Sequence, residues 1–173
     1  SVPVAPVAGY VPEAVLYDNG PLVTHPGGGA GGADASALQT ALGLNTYGFG
    51  NQFINGYRMA DDFVVDHPGG WQVDAITFYA YQTGSPPSPS PITGVYYQIW
   101  DGPPNDPGSS VVFGDLTTNR LVNTQWSNIY RVLDTGLGDT ARPIMVNTAS
   151  AGLMLPMGTY WIDWLTNGSL SSG

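Results

Sequence analysis

The sequence predicts an all-β fold, an antiparallel β-sandwich of jelly-roll-like kind with one short helix and long Gly/Pro-rich loops, and three observations carry that prediction. Short runs rich in Val, Ile, Tyr, Phe and Trp recur from residue 58 onward, each bounded by Gly, Pro, Asn or Asp. Several of these runs alternate apolar and polar residues with the period of two that sends successive side chains to opposite faces of a sheet. The 173 residues include 24 Gly and 15 Pro, a turn-rich composition, while 42% hydrophobic and 12% aromatic content supply a core and argue against disorder. A single domain of this length buries roughly 70% of the surface its unfolded chain exposes.

Residues 1–13 form the first element, an extended arm ahead of a sandwich domain at 14–173. Pro3, Pro6 and Pro12 forbid a helix there. Val2, Val4, Val7, Tyr10 and Val11 make the arm more apolar than a linker needs, so it is expected to dock on a sheet edge of its own domain or of a neighbour. The opening Ser1-Val2-Pro3-Val4-Ala5-Pro6 reads as the start of a mature exported chain. Residues 14–18 form a strand candidate that ends at the turn signal Asn19-Gly20-Pro21, with 22–24 as its pairing partner. After the Gly-rich loop at 26–32 comes the helix signal: Asp34 as N-cap, Leu38 and Leu42 four apart, and Gly43 as the stop. Tyr47, Phe49 and Phe53 are expected to hold the next loop in place.

Serial strands follow, at 58–65, 71–82, 92–100, 110–113, 121–125, 128–133, 143–148 and 159–165. In the second of these the apolar phase slips near Ala75, from Trp71/Val73 to Ile76/Phe78, which predicts a β-bulge. In the last, alternation places Trp161 on the face opposite Tyr160, Ile162 and Trp164.

Charge narrows the function. Arg58, Arg120, Arg131 and Arg142 are the only basic residues, no lysine occurs, and the net charge is −9. Phosphate recognition needs clustered cations, so nucleic acid is excluded as a partner. No run of 18 apolar residues is present, so membrane insertion is not expected either. Without cysteine there is no disulfide, thiolate or zinc–thiolate chemistry.

Ala60-Asp61-Asp62-Phe63-Val64-Val65, Trp71-x-Val73-x-x-Ile76-x-Phe78, Val95-x-x-x-Ile99 with Pro107-Gly108, Tyr130, and Leu155-Pro156-x-Gly158-Thr159-Tyr160-Trp161 resemble secreted bacterial β-sandwich accessory domains. The resemblance spans residues 60–164 and rests on packing and turn positions. It implies a jelly-roll-like fold, a secreted or cell-surface location, and an accessory, binding or assembly role without assigned activity. No catalytic residue is carried over by it.

Candidate sites are few. His25-Pro26-Gly27-Gly28 and His67-Pro68-Gly69-Gly70 repeat one tetrapeptide, and with Asp66 the imidazoles could ligate zinc or copper, although a recurrent Pro-Gly turn that His merely precedes is the favoured explanation. Calcium is the one candidate cofactor. It takes six to eight oxygens, for which Asp101, Asn105 and Asp106 are the candidate ligands and Asp61-Asp62 a lesser cluster; Asx turns compete with this reading. No nucleophile elbow, zinc-protease helix, P-loop or dinucleotide fingerprint occurs, and Glu13 is the only glutamate, so the chain is not expected to be an enzyme.

Two functions from different classes remain. In the first, the chain is an extracellular structural protein that associates with copies of itself, its arm adding a strand to a neighbour and forming a filament if the contact does not close. In the second, it is a carbohydrate-binding or adhesive module whose polysaccharide partner stacks on Tyr97, Trp100 or Trp126.

Overall fold

Eight strands build two four-stranded sheets in the computed structural model, which describes residues 14–46 and 48–170. The strands are β1 (Asp34–Leu38), β2 (Met59–Val65), β3 (Trp71–Ala80), β4 (Ile92–Trp100), β5 (Val111–Asp115), β6 (Leu121–Leu133), β7 (Pro143–Leu155) and β8 (Gly158–Gly168). One sheet runs β1-β6-β7-β3 and the other β2-β8-β4-β5. All pairings are antiparallel except β1 with β6. The all-β sandwich is therefore the fold. The predicted arm, with Val2, Val4, Val7, Tyr10 and Val11, and the Tyr47 ring lie outside the described residues.

Alternation sets the core. Val95, Tyr97 and Ile99 of β4 point inward and are fully buried beside Phe78, Ala149 and Leu155, with Ile162, Trp164 and Tyr160 of β8 packed against them. Each such aliphatic side chain contributes about 1.5–3 kcal/mol by leaving water. One polar group belongs to this interior. Asn147 is fully buried, donates to the carbonyls of Phe78 and Met145 and accepts from the Thr124 hydroxyl, so its amide is satisfied and joins β3, β6 and β7.

The phase slip near Ala75 is a register shift between Val73 and Ala75 in the β3–β7 ladder. The strands expected at 121–125 and 128–133 are one, β6, interrupted by a second shift between Trp126 and Ile129. Asn128 sits there at φ 63, a left-handed conformation that Asn tolerates, and Ser127 Oγ donates to the Ile144 carbonyl across the gap.

The helix expected from Asp34 is corrected. Residues 34–38 are β1, and only a 3-10 turn, Thr40–Leu42, follows, with Gly43 left-handed as its stop. A segment this short gains little as an isolated helix. Pairing with β6 and close packing of Ala33 and Ala35 against Tyr130 and Val132 decide its conformation. Asp34 is not a helix cap; it accepts from the Gly27 N–H at 2.7 Å and closes the Gly-rich loop. Residues 14–18 are not a strand, and of 22–25 only His25 bridges to Ala35. Phe49 holds no loop, being 86% exposed, whereas Phe53 rests on the Tyr96 ring at 4.4 Å.

Candidate functional site

The two faces of β4 and β8 divide the aromatic residues. With Tyr160, Ile162 and Trp164 turned to the core, Trp161, Asp163 and Leu165 project from the outer face of the β2-β8-β4-β5 sheet, as do Tyr96, Gln98 and Trp100 of β4. The register sets Trp100 opposite Trp161, Gln98 opposite Asp163 and Tyr96 opposite Leu165. Trp161 is half-buried, on the side that alternation predicts.

Asp163 organises this face. It is 2% exposed, and its two oxygens are engaged separately: Oδ1 accepts from the Trp100 indole N–H at 2.8 Å and Oδ2 from Arg58 Nη1 at 2.7 Å. Trp100 reaches it diagonally across the β4–β8 ladder, and Arg58 arrives from the residue before β2. Almost wholly buried, the carboxylate holds an indole on one oxygen and a guanidinium on the other. Trp100 is thereby tethered through its indole N–H and is half-buried. At the other end of the face the 3-10 turn Phe53–Asn55 lays Phe53 on Tyr96, tied down by the Thr166 N–H donating to the Asn51 carbonyl.

Sequence reading singled out Trp100 but missed Asp163 and Arg58. The signal was present: Asp163 is the one charge in Tyr160-Trp161-Ile162-Asp163-Trp164, and a charge within an aromatic strand calls for a partner.

The other candidate aromatics are placed differently. Tyr97 is corrected as a stacking platform: its ring is fully buried, its hydroxyl donates to the Ser150 carbonyl at 2.7 Å, and burial pushes its phenol up to about 12. It sits on the inward face because β4 alternates and Val95 and Ile99 share that side. Trp126 is half-buried against Tyr130, ring centres 5.2 Å apart, and its indole donates to the Ile129 carbonyl.

The polar loop residues form turns. Asp101 Oδ1 accepts from the Ser110 N–H at 2.6 Å, and Asp106 Oδ1 from the Gly108 N–H at 2.8 Å, while Asn105 is exposed. Asp61 binds Asn19 through one oxygen and the Asp62 N–H through the other. His25 Nδ1 contacts the Thr24 hydroxyl, and His67 Nδ1 accepts from the Gly69 N–H within its own turn. Among the described residues no three His, Asp or Glu side chains converge as a metal site.

The start of the described chain is unusual in another way. Residues 14–20 are exposed throughout, Val15 at 81%, and no backbone hydrogen bond joins them to either sheet among the described residues. Side chains alone tether them to β2: the Tyr17 ring lies 6.0 Å from Phe63, and Asn19 Nδ2 donates to Asp61 Oδ2. Of the four edge strands, β3 is the longest, with ten residues, no proline and Asp74 as its only charge. No family model, no curated protein and no solved structure matches this chain.

Proposed function

We propose that the chain is an extracellular structural subunit that self-associates through its N-terminal arm, which adds as a strand to the sheet edge of a neighbouring copy. The observation that carries this reading is the run Val15-Leu16-Tyr17, exposed and, among the described residues, without backbone hydrogen bonds to either sheet, which follows the apolar arm in sequence. A thirteen-residue arm reaches about 45 Å when extended, enough to leave its own domain and cover a neighbour's edge. Main-chain hydrogen bonds supply the affinity of such an addition, and alternate side chains its register. Edge strands normally carry charges, proline or bulges against this kind of pairing; β3 has no lysine or proline, and its one charge, Asp74, and its bulge lie together at 73–75, leaving 76–80 regular. Secretion or display at the cell surface is what the resemblance implies.

Net charge −9 opposes association, so assembly strengthens as salt screens the copies from one another. The test is deletion of residues 1–13. The full chain is expected to form oligomers or filaments by light scattering and negative-stain electron microscopy, and the deletion variant to stay monomeric with an unchanged circular dichroism spectrum. Equal assembly by both chains would refute the proposal.

A second reading, a carbohydrate-binding or adhesive module, is favoured by one observation: Trp100 is tethered to Asp163 through its indole N–H and is only half-buried, a preorganised surface on which a sugar face can stack. The Trp100 indole N–H is its reporter in the titration that follows.

A further inference from the structure

Beneath the turn that covers Tyr96 lies a cavity of about 180 Å³ between the 51–55 segment and the adjoining ends of β3, β4 and β8. Amide side chains dominate its polar lining, Asn51, Gln52, Asn55, Gln82 and Asn167, with Phe53 and Tyr81 as the aromatic walls. None of the lining residues is charged. A carboxamide carries donor and acceptor groups at once, the pattern that matches a hydroxyl, and Gln82 and Asn167 spend part of that capacity on Leu170 and Gly168. An ionic ligand would enter without a counter-charge and lose its hydration uncompensated. In volume the cavity slightly exceeds the roughly 150 Å³ that takes up benzene, so a bulkier pyranose enters it in part, with the remainder of its ring in solvent.

Its walls are held in place before any ligand arrives. Gln82 is 6% exposed, and its amide is fixed to Leu170 in both directions, Nε2 to the carbonyl at 3.0 Å and Oε1 from the N–H at 3.0 Å. Gly168 passes so close to that amide that a Cβ there would collide with it. Phe53 is fixed against Tyr96 yet remains 39% exposed, giving an apolar ring beside the amides. A sugar presents the same pairing of an apolar C–H face and a rim of hydroxyls.

We propose that this cavity is a binding subsite for one neutral sugar residue. The inference is independent of the arm and of self-association, and it places the sugar at the roofed end of the sheet face, away from the Trp100 end.

The test is a titration of the full ¹⁵N-labelled chain with methyl β-glucopyranoside, galactose and N-acetylglucosamine, with glucuronate as the charged control, following the side-chain amide signals of Asn51, Asn55, Gln82 and Asn167 and the indole signal of Trp100. At least one neutral sugar is expected to shift the cavity amides saturably, with a dissociation constant on the order of millimolar, and glucuronate to shift them more weakly. Asn55→Ala, an exposed change that leaves the fold intact, is expected to weaken that binding about tenfold by removing one amide partner. The proposal is overturned by no saturable shift with any of the three neutral sugars, by an equal or stronger response to glucuronate, by undiminished binding in Asn55→Ala, or by shifts confined to the Trp100 indole. The last outcome would instead locate sugar binding at the open end of the face. Assembly of the full chain is read separately, so failure here leaves the self-association reading standing.

Discussion

Replacing Arg58 by alanine isolates the electrostatic core of the outer sheet face. The variant leaves Asp163, 2% exposed, with the Trp100 indole as its remaining partner and no cation. Removing one partner of a fully buried pair costs about 3–5 kcal/mol, whereas a fully exposed pair contributes about 0–1 kcal/mol. The Arg58 side chain is 39% exposed, so its loss admits some water to the carboxylate and the cost falls between those limits, at about 2 kcal/mol. In a domain of this size that lowers Tm by about 4–8 °C. Asp163→Asn keeps an oxygen for the Trp100 indole and removes the charge. Introduced into the Arg58→Ala background, it is expected to recover about 1 kcal/mol, although the same change in the parent is destabilising. Urea titrations of the four proteins, with unchanged m-values, measure the coupling directly. The reasoning is refuted if Arg58→Ala costs less than about 0.5 kcal/mol, or if Asp163→Asn deepens the loss in that background.

Among the described residues Asp115 carries the clearest acid dependence. The Thr117 hydroxyl, then the Thr117 and Thr118 N–H groups and the Thr118 hydroxyl, hold its carboxyl well below the usual carboxylate range, and Arg120 lies 2.9 Å away. Because the folded value is lowered, its stabilisation is fully present above the unfolded carboxylate range and is lost as pH falls through the folded value. Asp115→Asn is therefore expected to show its largest stability deficit near neutral pH and a shrinking one toward low pH, measured as Tm against pH; a deficit that grows on acidification contradicts the assignment. Asn128, left-handed at φ 63 in the β6 bulge, gives a backbone test. Asn128→Gly is expected to be within about 0.5 kcal/mol of the parent, and Asn128→Ala to cost about 1 kcal/mol by denaturant unfolding; equal values would show that the conformation is not what selects the residue.

Strands with one buried face were legible without coordinates. The alternation of β4 gave its full extent, 92–100, and the slip of apolar phase gave the β3 bulge near Ala75, because a period-two pattern records which side of a sheet each residue faces. The same rule set Trp161 apart from Tyr160, Ile162 and Trp164. It did not distinguish the core face of β4 from the outer one, since both carry aromatics, and Tyr97 therefore looked as available as Trp100. Residues 34–38 were misread because local capping and spacing signals favoured a helix, while the deciding partner, β6, lies about ninety residues further along the chain.

Composition and periodicity alone determined the all-β architecture, the cysteine-free core and the acidic, lysine-free surface, because these depend on residue type and on spacing between near neighbours. Only the tertiary structure decided that Arg58, Trp100 and Asp163 meet, that Asn51, Asn55, Gln82 and Asn167 line one cavity, and that among the described residues no backbone hydrogen bond joins 14–20 to either sheet. Each of these depends on which strands lie side by side, a long-range choice in which burial and backbone pairing outweigh local preference.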